Sequence, residues 1–348
     1  MDTNILIVGA GVSGLSLAYF LEKEGISDIV IIDKKQQIGV PVKDTGLVSD
    51  ALLYLIPYAR KCVLTTFKKA ILCYNRDYFD ITTLKRNMLL LDRELLDKLI
   101  YNNLEHTQVI LNTSLIKIER SYNTAITTKG KIRYNIIIDA SGPFGVVRKF
   151  YNLPNSGFVV GMECGLETSK VNKKIQIFLD KKYSSKYFGW VLQYSNKVKV
   201  GLIDKDLKYE RFLKFIRNLG YSKYKWFYAD IIKNYPERKI VSNNMLCIGE
   251  SSGYLKQFSL GGIVFGVLQA KIASQVITQF LEKNIDLEVY EHIVKKLFWK
   301  GNLVSNLIRN LLKSKCIFKL VKLSKINKIS KYLDLDTYLP MDLRKVTF

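Results

Sequence analysis

The first 33 residues constrain the fold of this 348-residue chain more than any other stretch. An apolar run at residues 5–8 leads directly into a glycine-rich turn, residues 9–14, with the sequence GAGVSG. A helix-forming segment follows, and a second apolar run at residues 29–32 ends on Asp33. A strand, a glycine-rich turn, a helix and a second strand with a terminal acid make up the βαβ dinucleotide-binding unit. The sequence therefore predicts a Rossmann-like nucleotide domain at its amino end.

Each glycine of the turn has a physical role in such a unit. Gly9 makes the tight turn, Gly11 lets the backbone approach a pyrophosphate, and Gly14 lets the helix pack closely on the sheet. The amino end of the helix offers unpaired N–H groups and a partial positive charge to the phosphates. Asp33 can accept both hydroxyls of an adenosine ribose, which argues against a 2′-phosphate there. These residues predict a dinucleotide but do not decide between NAD and FAD.

Composition limits the class of protein. A hydrophobic content of 48% and a charged content of 24% are typical of a folded globular protein, and the length allows two domains. The net charge of +23 favours anionic partners, although an AT-rich genome would also enrich the chain in lysine. Five scattered cysteines without a CxxC pair, and only two histidines, argue against a metal site, a disulfide framework or a histidine triad. They are typical of a reducing cytoplasm.

One stretch could be mistaken for a membrane segment. Residues 3–21 carry no charge and are long enough to resemble a membrane span or a signal peptide. No basic residue precedes them, and they contain the three glycines of the turn. The nucleotide unit therefore explains them better, and we expect no stronger candidate for a membrane span elsewhere.

The middle of the chain predicts a second, antiparallel sheet. Three short runs, at residues 63–74, 78–83 and 88–91, predict a small antiparallel piece that leaves the nucleotide domain. Four further runs have the spacing of one layer of a second domain. They are residues 158–167, 174–179, 188–194 and 197–202.

Two other strands end in an acid and small residues. Residues 136–142, IIIDASG, are expected to return the chain to the parallel sheet. Residues 245–253, MLCIGESSG, lead through a short loop to a Gly-Gly pair that opens an apolar helix at residues 263–281. The amino end of that helix could stabilise negative charge at the N1/C2=O edge of a reduced flavin. Glu250 could accept a hydrogen bond from a ribityl or ribose hydroxyl.

The carboxyl-terminal region is strongly basic. Apolar residues, including Phe298 and Trp299, interleave with the basic ones, as in amphipathic helices that lie on an anionic membrane. A helical cap on the core with a solvated basic face would have the same composition. Between His292 and Leu333 there is no acidic residue, and the basic ones are Lys295, Lys296, Lys300, Arg309, Lys313, Lys315, Lys319, Lys322, Lys325, Lys328 and Lys331.

Taken together, the motifs resemble those of flavoproteins of the p-hydroxybenzoate hydroxylase fold. The matching motifs, in order, are the 9–14 turn with Asp33, Asp92-Arg93 with Asp97, residues 139–142 with Arg148, and residues 249–253 with Gly261-Gly262. Over about residues 1–285 the chain most resembles the geranylgeranyl reductase family. Residues 38–49 resemble the flavin-side loop of its archaeal members, with Asp44 where these often carry cysteine. Tyr187-Phe188-Gly189-Trp190 resembles the family's substrate-cavity motif YxWxFP.

The resemblance implies bound FAD. It implies that Tyr187, Phe188 and Trp190 line an apolar channel for an isoprenoid chain. The sequence does not identify the acid that protonates the substrate, for which Asp44, Tyr183 and Tyr187 are candidates. The residues expected to bind the cofactor are Gly9, Gly11, Val12, Ser13, Gly14, Asp33, Lys34, Arg93, Gly249, Glu250, Gly261, Gly262 and Ile263.

The predicted architecture is α/β, with a Rossmann-like FAD-binding domain, an antiparallel-sheet substrate domain and a carboxyl-terminal helical segment. The FAD-binding domain is expected to comprise residues 1–60, 88–155 and 240–285. The substrate domain is expected to comprise residues 61–87 and 156–239, and the basic helical region residues 286–348.

The function expected from the resemblance is reduction of C=C bonds in geranylgeranyl chains of membrane ether phospholipids or their precursors, by hydride transfer from reduced FAD. The electron donor would be ferredoxin or NAD(P)H. We expect a cytoplasmic protein that is peripheral to an anionic membrane surface, with no nucleic acid as partner. One alternative is a flavin-dependent monooxygenase of the same fold. Another is a non-enzymatic prenyl-binding protein, against which the intact nucleotide motifs weigh.

Overall fold

The computed structural model describes residues 1–75, 77–82, 86–283 and 285–323. Its strands are β1 (Asp2–Val8), β2 (Ile29–Ile32), β3 (Leu47–Ser49), β4 (Val63–Phe67), β5 (Lys69–Tyr74), β6 (Asp77–Thr82), β7 (Met88–Leu91), β8 (Gln108–Ile110), β9 (Leu115–Glu119), β10 (Thr124–Thr127), β11 (Gly130–Asp139), β12 (Phe158–Glu167), β13 (Lys174–Phe178), β14 (Gly189–Tyr194), β15 (Lys197–Asp204), β16 (Trp226–Lys233), β17 (Val241–Ser242) and β18 (Met245–Cys247). Its α-helices are α1 (Val12–Lys23), α2 (Leu52–Leu55), α3 (Arg93–Tyr101), α4 (Val146–Phe150), α5 (Tyr209–Asn218), α6 (Ile263–Leu281), α7 (Glu288–Leu312) and α8 (Lys315–Leu323).

The first sheet is built around five parallel strands in the order β18-β11-β1-β2-β8. β17 pairs antiparallel with β18 at one edge, and the β9–β10 pair joins the sheet through β11. Ile5, Leu6 and Ile7 of β1 are fully buried, because the central strand of a parallel sheet is covered on both faces. The predicted α/β fold with a Rossmann-like parallel sheet is confirmed.

Close packing of small residues brings the amino ends of α1 and α6 together. A Cβ on Gly14 would lie 2.0 Å from the carbonyl oxygen of Gly9, so only glycine lets α1 approach the turn that precedes it. A Cβ on Gly266, in the first turns of α6, would lie 2.3 Å from Ser13 Oγ of α1. The N–H groups at the start of both helices therefore lie on the same side of the sheet.

The second sheet has seven strands in the order β16-β12-β15-β14-β13-β5-β6. All neighbours are antiparallel except β13 and β5, which run parallel with Ile71 opposite Gln176. The phenyl rings of Phe212 and Phe215 on α5 are fully buried in the hydrophobic core under this sheet. The sheet and its antiparallel character agree with the sequence prediction, but β16 was not predicted.

The prediction of one small antiparallel piece at residues 63–91 is wrong. β5 and β6 extend the second sheet, whereas β4 and β7 pair with β3 in a separate three-stranded sheet. This three-stranded sheet takes strands from both sides of the boundaries predicted near residues 60 and 88. The parallel pairing of β5 with β13 joins segments about a hundred residues apart, which local hydrophobic periodicity cannot reveal.

Among the described residues, one helix has the length and composition of a membrane span. α6 is long and apolar enough to cross a membrane, but 67% of its apolar window is buried inside the protein. Residues 3–21 instead divide between β1, the turn and α1. The nucleotide unit therefore accounts for residues 3–21, as the sequence predicts.

The carboxyl-terminal helices expose leucines and bury two cations. Leu303, Leu307 and Leu311 of α7 are 55%, 59% and 42% exposed, and their spacing of four places them on one helix face. Arg309 and Lys313, expected on a basic surface, are instead buried. The Arg309 guanidinium donates to the carbonyl of Gln257, and Lys313 Nζ donates to the carbonyl of Ser184 at 2.7 Å. Lys325, Lys328 and Lys331 lie outside the described residues.

Candidate active site

A cavity of about 890 Å³ lies between the two large sheets. On one side it is lined by residues at the carboxyl ends of β1, β2 and β11, where open α/β sheets bind ligands. On the other side its wall comes from β12, β13, β14, β15 and β16 of the second sheet. The volume is within the range of protein sites that enclose small molecules and cofactors.

The glycine-rich turn has the shape that a pyrophosphate requires. A Cβ on Gly9, whose φ is +120°, would lie 2.3 Å from the carbonyl oxygen of Ala140, so the turn packs tightly against β11. A Cβ on Gly11 would meet nothing within 4 Å, and Gly11 lines the cavity. Gly11 is also the N-cap of α1 and supplies no side-chain cap to its first turn. The open space and the uncapped N–H groups fit the phosphates of a dinucleotide.

Asp33 occupies the end of β2 and lines the same end of the cavity. Its side chain is 8% exposed. Oδ2 accepts a hydrogen bond from the Ala10 N–H at 2.7 Å, and Oδ1 accepts one from the Lys35 N–H at 2.8 Å. These bonds fix the carboxylate between the turn and the segment after β2, and each oxygen retains a lone pair that can accept from a ribose hydroxyl. Lys34 also lines the cavity.

The amino end of α6 forms a second polar surface of the cavity. Gly261, Gly262 and Ile263 line it, and the N-cap residue Gly262 supplies no side-chain cap. Glu250 also lines it and accepts a hydrogen bond from the Lys233 N–H at 3.2 Å. Burial raises the pKa of the Glu250 carboxyl to about 7. A neutral carboxyl can donate as well as accept, so Glu250 suits a hydroxyl-bearing chain.

Arg93 and Asp44 link the loop after β2 to α3. Arg93 Nε donates to the two oxygens of Asp44 at 3.1 and 3.0 Å, and its NH1 donates to Asp97 at 3.0 Å. Arg93 is 8% exposed and lines the cavity together with Asp44. Burial raises the pKa of Asp97, and the Arg93 charge opposes that rise. A Cβ on Gly46 would lie 2.8 Å from the Leu91 carbonyl oxygen, so the loop reaches Arg93 only with glycine there.

The end of the cavity formed by the second sheet is mainly apolar. Phe188 and Trp190 of the sequence motif line it, together with Ile175 and Ile203. The Phe188 ring stacks on Phe258, with ring centroids 6.0 Å apart and an angle of 17°. Phe188 and Phe258 are almost fully buried, and their phenyl rings carry no N–H, O–H or carbonyl group that could bond to a ligand.

Four predicted site residues lie outside the lining of this cavity. Gly14 and Gly249 serve packing, since a Cβ on Gly249 would lie 2.3 Å from Ser13 Oγ. The Tyr187 ring lies under the Arg309 guanidinium at 4.3 Å. Tyr183 packs edge-on against Phe215 in the core of the second sheet. The remaining predicted residues, including Val12 and Ser13, line the cavity.

Sequence reasoning missed Glu163, which lies in the cavity wall in the middle of β12. Its side chain is 1% exposed. Trp190 Nε1 and the Tyr228 hydroxyl donate to it at 2.9 and 3.0 Å, and the Thr45 hydroxyl donates a further bond. The available signal was an acid inside the otherwise apolar run of residues 158–166, where a buried carboxylate requires partners.

The motif at the end of β11, together with Arg148, joins this strand to the segments that carry Glu237 and Ser251. Asp139 is fully buried and accepts hydrogen bonds from the Ser141 hydroxyl at 2.6 Å and the Arg148 N–H at 2.8 Å. The Arg148 guanidinium donates to the Ser251 carbonyl at 3.0 Å and pairs with Glu237 at 3.1 Å. Burial raises the pKa of Asp139. We assign this cluster a structural role, since the side chains of Asp139 and Arg148 are fully buried and neither residue lines the cavity.

Within the residues that the structure describes, no group of three or more histidine, cysteine, aspartate or glutamate side chains could hold a metal ion. Four described cysteines are buried, Cys316 is exposed, and none forms a disulfide.

Comparison with known proteins agrees with this geometry. Residues 7–49 match the family described as NAD(P)-binding Rossmann-like domain. An uncharacterized protein of Methanocaldococcus jannaschii is 27% identical over 99% of this chain and 94% of its own length. Digeranylgeranylglycerophospholipid reductase 1 of Methanosphaera stadtmanae is 25% identical over 100% of this chain and 93% of its own length.

Solved structures show the same fold. A geranylgeranyl bacteriochlorophyll reductase-like protein from Thermoplasma acidophilum superimposes with a TM-score of 0.83 at 16% identity, covering 99% of this chain and 95% of its own. The flavin-dependent brominase Bmp2 superimposes with a TM-score of 0.78 at 14% identity, covering 97% and 94%. The fold is thus one that these proteins share, and the glycine turn, Asp33 and the two helix ends fit a dinucleotide cofactor.

Proposed function

We propose that this chain belongs to the geranylgeranyl reductase-like flavoproteins, binds FAD and saturates C=C bonds of geranylgeranyl chains in membrane ether phospholipids or their precursors. One observation carries the proposal: a single cavity joins a nucleotide end, marked by Gly11 and Asp33, to an apolar end, marked by Ile175, Phe188 and Trp190. A cofactor held at the first end can meet an isoprenoid chain held at the second. The full-length similarity to a digeranylgeranylglycerophospholipid reductase supports this choice of substrate class.

Residues at the amino ends of α1 and α6, which lie on the same side of the parallel sheet, would bind the two halves of FAD. Asp33 binds the adenosine ribose, and the uncapped amino end of α1 binds the pyrophosphate. Glu250 binds a hydroxyl of the ribityl chain. Gly262 and Ile263 would offer backbone N–H groups of α6 to the isoalloxazine, and the helix dipole there would stabilise negative charge.

Reduced FAD supplies a hydride, which an unactivated double bond accepts only in a dry, well-oriented site. The protein's task is to exclude water and to hold the alkene still. Phe188 and Trp190 form the wall that does this, with the Phe188–Phe258 stack fixing the Phe188 ring. Removal of one ring would widen the apolar end and let the alkene move away from its reactive position.

The electron donor that we propose is a reduced ferredoxin, with NAD(P)H as the other candidate. The net charge of +23 supports an acidic protein donor, because opposite charges steer association. The sequence contains one dinucleotide fingerprint, at residues 9–14, and that site is assigned to FAD. Rapid flavin reduction by one donor and not by the other would decide between them.

We also propose that α7 and α8 bind an anionic membrane surface, so that the protein is cytoplasmic and peripheral. The exposed leucines at positions 303, 307 and 311 support this, as does Leu320 of α8, which is 64% exposed. Lys315 and Lys319 of α8 provide positive charge next to them. Apolar insertion combined with attraction to anionic lipid is how interfacial helices bind.

The proposed activity is tested with the full-length protein under anaerobic conditions. Purified protein is reconstituted with FAD, reduced with dithionite and mixed with a geranylgeranyl ether phospholipid. The lipid should gain the mass of two hydrogens per double bond. An unchanged lipid, with FAD bound and reduced, would overturn the proposal.

Two other functions predict different outcomes of this experiment. A flavin-dependent monooxygenase would leave the lipid unchanged without oxygen and would yield a hydroxylated product with oxygen and NAD(P)H. A non-enzymatic prenyl-binding protein would stay colourless after FAD is added. The open space at Gly11 and the uncapped ends of α1 and α6 favour a bound flavin over the second alternative.

A further inference from the structure

Glu163 is a carboxyl group inside the apolar half of the cavity. It lies on β12, opposite Tyr228 of β16 and Gly201 of β15. The same cavity wall also carries the apolar side chains of Ile203 and Ile175. A carboxyl group buried to this degree costs considerable free energy unless it has a role or partners that compensate.

The hydrogen bonds to Glu163 come from three separate parts of the chain. Trp190 Nε1 of β14 donates to Oε2 at 2.9 Å, and the Tyr228 hydroxyl donates to Oε1 at 3.0 Å. The Thr45 hydroxyl, from the loop after β2, also donates to Oε2. The indole nitrogen can only donate, whereas the two hydroxyls can donate or accept. The network therefore accommodates Glu163 both as a neutral acid and as a carboxylate.

Glu163 has no salt bridge among the described residues. The charge of Lys199 acts on the Glu163 carboxyl, but Lys199 Nζ donates its hydrogen bond to the Thr45 carbonyl at 2.8 Å. Asp44 is held by Arg93, and Asp230 pairs with Lys43 at 3.2 Å. Burial raises the pKa of Glu163, and Lys199 and the three donors oppose that rise only in part. The groups of the surrounding elements that interact with Glu163 through charge or hydrogen bonds are Thr45, Trp190, Tyr194, Lys199 and Tyr228. The charges of Asp44 and Asp230 act in turn on Tyr228.

We propose that Glu163 is the catalytic residue that protonates the alkene, an inference that rests on the proposed function. The alkene gains a hydride from reduced FAD at one carbon, and its π electron pair takes the carboxyl proton of Glu163 at the other. Two C–H bonds form, the double bond is lost, FAD is oxidised and Glu163 is left as a carboxylate. The Tyr228 hydroxyl, which donates to Glu163 at 3.0 Å, then relays a proton from water to the carboxylate in one concerted transfer, because burial raises the pKa of Tyr228 and disfavours a free phenolate.

The acids suggested by the sequence are less suited to this step. Asp44 accepts from Arg93 through both oxygens, so its carboxylate is already engaged in an ion pair. The Tyr183 and Tyr187 side chains lie outside the lining of the cavity, in the cores that flank it. Glu163 combines a place in the apolar wall with a neutral form that burial favours.

The variants that test this are Glu163→Gln and Glu163→Asp, with Glu167→Gln as the matched control. The amide introduced by Glu163→Gln would keep the size and polarity of the neutral acid but could not release a proton. Glu167 is on the same strand but exposed, paired with Lys225 at 2.8 Å and absent from the cavity lining. Each protein is checked for FAD binding and for its unfolding temperature, so that a folding defect is recognised.

The first readout does not depend on activity. Infrared spectra of the FAD-free protein at neutral pH should show the carbonyl stretch of a protonated carboxylic acid that is lost in E163Q and kept in E167Q. If the carbonyl band of protonated carboxylic acids is the same in wild type and E163Q, Glu163 is a carboxylate and the inference is overturned.

The second readout is the single-turnover rate of alkene reduction from dithionite-reduced protein. E163Q should be slower by roughly 100-fold or more, E163D should recover part of the loss, and E167Q should match wild type. The wild-type rate should fall as pH rises through the pKa of Glu163, and this dependence should be absent in E163Q. If E163Q does not hold FAD, Tyr228→Phe carries the test, since it should slow repeated turnovers more than the first.

The outcomes separate the two proposals. Wild-type protein that leaves the lipid unchanged overturns the proposed function and this inference with it. Wild-type protein that reduces the lipid while E163Q does so equally fast overturns only the role of Glu163.

Discussion

Gly11 and Gly14 lie three residues apart in one turn, yet side chains at the two positions would meet opposite surroundings. At Gly11 an added Cβ enters open cavity, whereas at Gly14 it would lie 2.0 Å from a backbone oxygen. Gly11 also has a φ of −88°, which any residue can adopt. Under the proposed function, the first glycine therefore serves the ligand, whereas the second serves the fold.

The Gly11→Val variant should lose FAD affinity without losing its fold. We expect Kd for FAD to rise by roughly 100-fold or more, because each lost charge-assisted hydrogen bond is worth about 1.5–3 kcal/mol. The free energy of unfolding of the FAD-free protein should change by less than about 1 kcal/mol. Gly14→Ala, in contrast, should lower it by about 1–3 kcal/mol. Fluorescence titration with FAD and urea unfolding measure both, and a G11V protein with wild-type affinity would contradict the assignment.

Glu250 should make the stability of the FAD-free protein depend on pH. Its folded-state pKa of about 7 is above the value of about 4.3 for an unfolded chain, so the folded protein binds its proton more tightly. The resulting stabilisation is fully present below about pH 4.3 and is lost as pH rises through about 7. The unfolding temperature of wild type should therefore fall relative to Glu250→Gln across this interval. Parallel curves for the two proteins would show that the pKa of Glu250 is not raised.

Single residues differ in how far the sequence reveals them. Gly11, Asp33 and Gly262 could be predicted because each lies beside a strand or helix end that is recognisable locally. Glu163 could not, since its partners Thr45, Trp190 and Tyr228 lie 118, 27 and 65 residues away in the chain. Only the pairing of β12 with β16 and the position of the loop after β2 bring them together.

At the scale of elements, the sequence predicts the bounds of individual strands and helices better than it predicts the pairing of distant strands. β12 and α6 have the bounds that the sequence predicted, because a continuous apolar run of fixed length identifies each of them. The placement of β5 beside β13 was missed, since parallel pairing of distant segments leaves no local signature. β16 was missed as well. Its residues are mostly half-buried, without the clear alternation of an amphipathic strand.

The exposed leucine face of α7 gives a prediction for the membrane. Replacing Leu303, Leu307 and Leu311 together by glutamine should lower partitioning onto vesicles that contain anionic phospholipid by at least about 10-fold, because burial of each leucine contributes up to about 1.5–3 kcal/mol. High salt should weaken wild-type binding, since the electrostatic part is screened. Co-sedimentation measures both effects.

The matched control for this variant replaces two exposed apolar residues elsewhere. Leu64 and Ile116 are 51% and 56% exposed, and neither belongs to α7 or α8. A double variant with glutamine at both positions should bind vesicles like wild type. Equal loss of binding in the control and in the α7 variant would remove the leucine face as the membrane contact.

At the scale of the whole molecule, one cavity connects the two large sheets. The residues proposed to bind the nucleotide come from two distant parts of the chain, the glycine turn near residue 10 and the start of α6 near residue 262. The apolar wall comes from the strands between them. The net charge of +23 is the basis of the proposals for an acidic donor protein and an anionic membrane. Together with the cavity, it supports the proposed action on a lipid chain.

The most direct test of the account follows the flavin and the lipid in one anaerobic titration. Protein carrying dithionite-reduced FAD is mixed with a geranylgeranyl ether phospholipid, and the oxidised flavin absorbance and the lipid mass are recorded together. We predict that one equivalent of oxidised flavin appears for each double bond that gains two hydrogens. A flavin that stays reduced until oxygen is admitted, with the lipid double bonds intact, would contradict the account.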